Sequence, residues 1–322
     1  MLKFNGLRSV AALCLGALVL AGPAVAQEWP KKQPIKIVLP VNPGGSTDAL
    51  ARIMADFLSK RLGQAVVVEN KPGAAAAIAA DYVYKSAPDG YTFEFSANEL
   101  ETLGALRKNL PFEIDKFTFL VRAFENQPLL LGSPSLKATN TQELVALMKA
   151  NPGKVRYGSS GVGAVIHMAI VLLESSAGVK GTHVVHTGVA PVFQDMLGGN
   201  IEFTMSSPPV PEGVKVLGTF GSIRNPLYPD VPTMKEAGFD NAVFDVWFGF
   251  FGPPGLPKPI ADKFTAEVLA VLKDPEAVAK FRAVRVLPAS SPLTGDAFKS
   301  SVIKALDGWK GVVEREKIAI PQ

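Results

Sequence analysis

Pro40-Val41-Asn42-Pro43-Gly44-Gly45-Ser46-Thr47-Asp48 is the stretch whose reading decides the fold. It leaves a β-rich run, Ile35 to Leu39, and opens a helical pattern, Asp48 to Leu62, with Leu50, Ile53, Met54, Phe57 and Leu58 on one face. A strand, a glycine-bearing turn and an amphipathic helix in that order begin a βαβ unit. Outward from it, the pattern predicts a strand at Ala65 to Glu69, a helix at Ala74 to Lys85 and a strand at Tyr91 to Phe95, with Pro88-Asp89-Gly90 turning between the last two. A second run starts near Leu129 to Leu131. It continues through a helix at Thr141 to Ala150, a strand at Val155 to Tyr157, a helix at Gly163 to Ser176, a strand at His183 to Val185, a helix at Pro191 to Leu197, and strands at Ile201 to Met205 and Val214 to Leu217. An aromatic strand, Val243 to Phe251, precedes three helical patterns at Ile260 to Lys273, Pro275 to Ala283 and Gly295 to Lys317. The alternation predicts an α/β protein with mostly parallel sheets flanked by helices.

The same turn is the first place to look for chemistry. Glycines let the backbone bend sharply, and the amides of a first helical turn present the positive end of the helix dipole, so an anion can be held without a basic side chain. Ser46 and Thr47 can donate hydroxyl bonds or cap the helix. Asp48 and Arg52, at i and i+4, can brace one another instead of touching a ligand. An ordinary tight turn with a capped helix fits the spacing equally well. Neither a Walker phosphate loop nor the full dinucleotide fingerprint fits.

Two more turns repeat the layout. Tyr157-Gly158-Ser159-Ser160-Gly161-Val162-Gly163-Ala164 leaves a strand and enters a helix, but Ile166 stands where a dinucleotide fingerprint needs its third glycine, and Val162 where a hydrolase elbow needs one. Ser159 and Ser160 therefore read as ligand hydroxyls or caps. Thr187-Gly188-Val189-Ala190-Pro191 is the third turn, just after His186. The other histidines are His167 and His183. His183 and His186 are three apart, on opposite faces of a strand, which makes a poor metal pair. No nucleophile with a base in reach is visible, so the sequence predicts no catalytic centre, no metal and no cofactor.

Composition narrows the classes further. Residues 1 to 26 carry Lys3 and Arg8, an apolar run from Val10 to Leu20, and Ala24-Val25-Ala26, the layout of a cleaved secretory signal. The run is interrupted by Gly22-Pro23 and is shorter than the ~20 residues a spanning helix needs. Cys14, the only cysteine, falls inside it, so the mature chain is expected to have no disulfide or cysteine-ligated metal. Removing the segment takes the formal charge from +4 to +2, which predicts no nucleic-acid footprint.

From Trp29 onward the chain resembles the Bug-type receptors of tripartite tricarboxylate transporters. The resemblance rests on Pro-Gly-Gly-Ser-Thr-Asp at 43 to 48 with Ala51-Arg52, Val-Glu-Asn-Lys-Pro-Gly-Ala at 68 to 74, Ala-Pro-Asp-Gly-Tyr-Thr at 87 to 92, Asn-Pro-Gly-Lys at 151 to 154, and Tyr-Gly-Ser-Ser-Gly at 157 to 161. Asp-Met-Leu-Gly-Gly at 195 to 199, Pro-Asp-Val-Pro-Thr at 229 to 233 and Glu-Ala-Gly at 236 to 238 complete it. It implies a two-lobed periplasmic binding protein, type II-like, with lobe one at 27–124 and 247–322, lobe two at 125–246, and two crossing strands between them. It further implies a ligand carboxylate held between Gly44, Gly45, Ser46, Thr47 and Asp48 in lobe one and Thr187, Gly188, Val189 and Ala190 in lobe two; a monomer is the default expectation for a receptor that must diffuse and dock. Asn98, Glu99, Ser159, Ser160, Ala164 and Ser206 are the remaining expected ligand contacts.

The chain also departs from that family. Ala75, Ala76 and Ala77 stand where paired glycines are usual, which is expected to forfeit easy positive-φ geometry. His186 and Thr187 replace a tyrosine and a lysine, Ser206 an acidic residue, and Asn98-Glu99-Leu100-Glu101 stands near a missing Asn-Pro element. A Glu99 facing the cleft would repel a second carboxylate and favour an ammonium or hydroxyl; a solvated Glu99 leaves dicarboxylates and aromatic acids open. Trp247 and Phe248 can supply an apolar wall or pack in the core. Three functions follow: a transport receptor serving membrane permease subunits, a sensory receptor docking on a membrane sensor kinase, and, from another class, a periplasmic hydrolase or isomerase on the same fold.

Overall fold

Strand β1 (Ile35–Leu39) is buried along nearly its whole length, the mark of a parallel strand covered on both faces. The computed structural model describes residues 29–107 and 109–318, and the expected signal segment lies outside them. After β1 come α1 (Ser46–Leu62), β2 (Val66–Asn70), α2 (Ala77–Tyr84), β3 (Thr92–Ser96) and α3 (Glu99–Leu106). Strand β4 (Thr118–Asn126) then runs out of the first sheet, and β5 (Leu129–Gly132) begins the second. The second sheet continues with α4 (Thr141–Ala150), β6 (Arg156–Ser159), α5 (Val165–Ala177), β7 (Thr182–Val185), α6 (Val189–Leu197), β8 (Phe203–Ser206) and β9 (Lys215–Thr219). The chain returns through β10 (Val246–Gly252) and ends with α7 (Lys258–Val271), α8 (Pro275–Ala283), β11 (Leu287–Thr294) and α9 (Gly295–Glu316).

The sheets have the orders β11-β4-β10-β3-β1-β2 and β7-β6-β8-β5-β9. Both are mixed. The βαβ strands pair in parallel, β1 with β2 and β3, β6 with β7 and β8, as expected. The long strands that pass between lobes enter antiparallel, β10 against β3 and β4, β5 against β8 and β9. The two-lobed α/β fold therefore stands, with only the βαβ half of each sheet parallel. Two elements had no expectation behind them. The α3 segment follows a strand with no glycine turn, and β11 carries Pro288 and Pro292 on a sheet edge, where a missing amide costs no ladder bond.

Phenylalanines dominate the first lobe. Phe93 stacks on Phe264 at 3.9 Å between ring centres, and Phe95 packs against Phe250 at 4.6 Å, tying β3 and β10 to α7. On the opposite face of that sheet Trp247, Phe251 and Phe298 form a second cluster with the buried side of α2. Trp247 and Phe248 are each 2% exposed, so both pack in the core. At the crossing, Phe220 donates its amide to the Pro128 carbonyl, Phe244 donates to Phe220, and the buried Asn225 donates to the Gln127 carbonyl. Both connections are thus pinned to one side of lobe two.

Gly249 sits where β10 slips register against β4, and a methyl there would lie 2.8 Å from the Val121 carbonyl oxygen and 2.8 Å from the Phe298 ring. Gly249→Ala is expected to cost roughly 1–3 kcal/mol, because a backbone atom cannot yield as a side chain can. Gly311 in α9 meets nothing within 4 Å, so Gly311→Ala should stabilise by about 0.5–1 kcal/mol. Urea denaturation of the two variants checks both signs.

Candidate functional site

The carboxyl ends of the parallel strands in the two sheets bring their loops together. Asn42 Nδ2, in the turn after β1, donates to the Thr187 carbonyl of lobe two at 2.9 Å. A side chain on Gly188 would meet that same Asn42 amide at 3.0 Å. The turns 40–48 and 187–191 therefore face each other across a cleft.

The lobe-one turn is organised by Asp48, which is 5% exposed. Its carboxylate accepts from the Gly44 amide at 3.1 Å, from Arg52 at 3.0 and 2.9 Å, and from Asn70 Nδ2 at 3.1 Å. Asn70 also donates to the Val41 carbonyl at 3.0 Å, closing the loop onto β2. Burial alone would raise the Asp48 pKa, but the bonds from Arg52, Asn70 and the Gly44 amide outweigh it and hold it below its ordinary value. Asp48 and Arg52 do brace one another, and the carboxylate is spent inside the turn. Gly44, at φ +98°, makes the bend, and Gly45 begins α1 without a side-chain cap, leaving the amide end of the helix to the cleft.

Beside it, Ala74, Ala75 and Ala76 hold φ values of +50°, +53° and +80°. The expected loss of positive-φ geometry is corrected here: the alanines keep it, at a cost of about 1–2 kcal/mol each that glycine would avoid. Ala77 alone is ordinary, at φ −59°. Asn98 is buried, accepts from the Trp247 amide at 3.1 Å and donates to Glu101 at 3.2 Å, so its side chain serves the crossing strand β10. Glu99 is half-buried and folds back to accept from the Ala97 amide at 2.6 Å. Burial raises its pKa, against the Glu99 and Ala97 amides. Glu101 is pushed up to about 7 by burial, while bonds from Asn98 and Trp247 and the nearby Arg122 pull the other way.

In lobe two, Ala164 and Gly188 begin α5 and α6, again without side-chain caps. Ser160 and Val189 are half-buried, Thr187 and Ala190 exposed, and Ser206 closes β8 with its hydroxyl on the Ser207 carbonyl. His186 donates through Nε2 to Asp195 at 2.7 Å, behind the loop. One contact departs from the expectation that no nucleophile meets a base: Ser159 Oγ lies 2.6 Å from His183 Nε2. Parallel pairing of β6 with β7 creates it, since the two residues are far apart in sequence. Ser159 is fully buried and bonded to the Gly161 carbonyl and amide, and burial drives the His183 pKa down to about 4, too low for an effective base near neutrality. The pair supports the loop.

Two cavities flank the cleft. One, of ≈ 370 Å³, lies at the crossing between Glu101, Trp247, Trp309 and lobe two's Leu172; the other, of ≈ 330 Å³, lies behind the Tyr157, His167 and His183 rings. Sequence reading also missed Asn42, whose neighbours Pro43 to Gly45 drew attention, and Glu94, hidden in the alternation of β3.

Residues 50–290 match the sequence profile of the tripartite tricarboxylate transporter family receptor. The chain is 29% identical to BugT of Bordetella pertussis over 97% of its own length and 98% of that protein. Among solved structures it is similar to MatC of Rhodopseudomonas palustris with bound malate, at 28% identity and TM-score 0.80 over 88% of this chain and 99% of that one. It is also similar to a second R. palustris protein with adipate, at 28% identity and TM-score 0.84 over 91% and 99%.

Asp48→Asn should destabilise by roughly 1–2 kcal/mol at pH 7 through loss of its charged bonds. Because the folded pKa is depressed, that stabilisation is present above the ordinary value of 3.8 and is lost as pH falls through the folded value. Melting curves of the two proteins should differ at pH 7 and converge as pH falls through the depressed folded value.

Proposed function

The chain belongs to the tripartite tricarboxylate transporter receptor family, and from that premise we propose that it captures a small carboxylate between its lobes and hands it to the membrane permease subunits of such a transporter. The observation that carries this reading is the pair of uncapped helix starts at Gly45 and Gly188, brought face to face by the Asn42–Thr187 bond. Amides of a first helical turn carry about half a positive charge between them, and two such ends can clamp one carboxylate with no buried cation to desolvate.

The roles divide accordingly. Gly45, Ser46 and Thr47 offer amides and hydroxyls from lobe one, with Gly44 and Asp48 shaping the turn. Gly188, Val189 and Ala190 offer the opposing amides below Thr187. Ser160, Ala164 and Ser206 line the lobe-two rim, where hydroxyls and ordered waters complete the shell. Malate and adipate in the two structural relatives make dicarboxylates and other small acids the class to screen. The family places the work in the periplasm. Catalysis is not part of this reading, and turnover of a bound acid would sink it.

Purified protein screened by thermal shift should melt higher with one or a few small carboxylates, by RT ln(1 + [L]/Kd), and not with the matching amides. Gly45 has an ordinary φ of −87° and nothing within 4 Å of an added methyl, so Gly45→Asp should fold normally. It places a negative charge at the helix start and is expected to weaken the best ligand at least tenfold by calorimetry, whereas Gly45→Ala changes affinity far less. Equal affinity in all three proteins removes this turn from the site.

A further inference from the structure

We propose that Glu94 and Ser96 form a subsite for an ammonium group, so that the acid captured in the cleft is an amino acid. The inference rests on the carboxylate reading above and adds the part of the ligand that the helix ends leave undefined.

Strand β3 alternates. Phe93 and Phe95 face the main core, and Glu94 and Ser96 therefore project from the other face, toward α2 and α3. Both are 0% exposed. Neither carboxylate oxygen of Glu94 nor the hydroxyl oxygen of Ser96 has a hydrogen-bond partner. A buried carboxyl without a partner costs several kcal/mol unless something arrives to satisfy it. Ser96 is the last residue of β3 before the turn Ala97–Glu99, and Glu94 lies one pleat, about 7 Å, behind it. Glu94 sits opposite Val38, next to the last residue of β1, so the orphaned oxygens lie just below the turn that begins at Pro40.

The chemistry of these oxygens selects the guest. An ammonium has three N–H donors and no acceptor, and the two Glu94 oxygens and the Ser96 hydroxyl, which lies near enough to Glu94 to lower its pKa, can all accept from it. A second carboxylate could accept only the single O–H of the acid and the Ser96 hydroxyl, leaving the other carboxyl oxygen bare, and an apolar group would leave all three oxygens unsatisfied. The ionisable groups on elements packed against this face are Lys36 on β1, Asp81, Tyr82, Tyr84 and Lys85 on α2, Glu99 and Glu101 on α3, Arg122 on β4, and Asp296, Lys299, Lys304 and Asp307 on the part of α9 that carries Phe298, Val302 and Leu306, while β10 contributes none. Of these Glu99 acts on Glu94. Burial, with that neighbour adding to it and the nearby Ser96 hydroxyl opposing, pushes Glu94 up to about 8, so the empty subsite holds a neutral carboxylic acid at pH 7. When an ammonium enters, the acid ionises, its proton leaves to the buffer, and an ion pair forms in the dry interior.

Calorimetry on the intact protein tests this with matched probes: glycine, L-aspartate, L-glutamate and 4-aminobutyrate against acetate, succinate, glutarate and butyrate. Titrations in phosphate and in Tris separate proton release from binding heat. At least one amino acid is expected to bind tenfold or more tightly than its deaminated partner, releasing roughly 0.9 proton at pH 7 and close to none at pH 9. Glu94→Gln, a neutral isostere, should abolish the release and cut that affinity tenfold or more, leaving the deaminated acid bound as before; Ser96→Ala should weaken binding with the release intact. The wild-type pH comparison stands even where a variant folds poorly. Deaminated acids binding as well as amino acids, or amino acids binding without buffer-dependent heat, overturn the subsite and leave the carboxylate reading standing. Stabilisation by calcium chloride alone, lost in Glu94→Gln, makes it a cation site instead and overturns the proposal. Failure of every acid to bind overturns both.

Discussion

A parallel sheet covered on both faces has one place where backbone polar groups remain unspent, the carboxyl edge where strands give way to helices. The ladder consumes amides and carbonyls along the strands, and helices α1, α2, α5 and α6 seal the faces, so each strand end delivers the first amides of a helix to the same rim. Two such rims, set opposite by the crossing strands, supply the donors of the proposed carboxylate site. Here that constraint is visible in the choice of Gly45, Ala164 and Gly188 as the residues that begin α1, α5 and α6. None caps its own helix; of the helices that start elsewhere, α4 and α8 are capped by Asn140 and Asp274, while α7 and α9 have no side-chain cap.

The crossing also carries a polar device that ties the turn after β3 to a connecting strand. Asn98 bonds the β10 backbone at Trp247 and reaches the Asp245 carbonyl at 3.4 Å, while Trp247 Nε1 donates to the buried Glu101 at 2.9 Å. One end of this chain is the cleft turn after β3, and the other is the strand that joins the lobes. A shift of the turn by a bound ligand therefore acts on a strand through hydrogen bonds with strong directional preference and not through an apolar contact that could slide.

Much of this was legible in the sequence. The periodicities of β1, α4 and α8 fix those elements nearly to the residue, because each is bounded by a local signal: a proline and glycine turn, an Asn cap, an Asp-Pro start. The glycine turns marked both rims of the cleft for the same reason. What stayed hidden depends on pairing across the sheet. Ser159 meets His183 only because β6 lies beside β7, and Asn98 meets Trp247 only because β10 returns antiparallel beside β3. Glu94 carries no local signal of its burial, because polar residues alternating with phenylalanines fit a solvent-facing side, and only the covering of that side by α2 and α3 buries it.

The two rims are not equivalent, and the asymmetry says where selectivity resides. In lobe two the polar groups behind the loops are matched: Ser159 with His183 and Gly161, His186 with Asp195, Thr204 with the Gly158 carbonyl. In lobe one the corresponding region holds three alanines in a left-handed conformation and, beneath them, the unpartnered Glu94 and Ser96. Strain and an unsatisfied buried acid both oppose folding, and a leucine at 94 and glycines at 74 to 76 would relieve them. Their persistence on the same rim fits the proposed subsite, in which part of the structure is supplied by the molecule bound: under that proposal the satisfied rim takes any carboxylate, and the unsatisfied rim chooses which one.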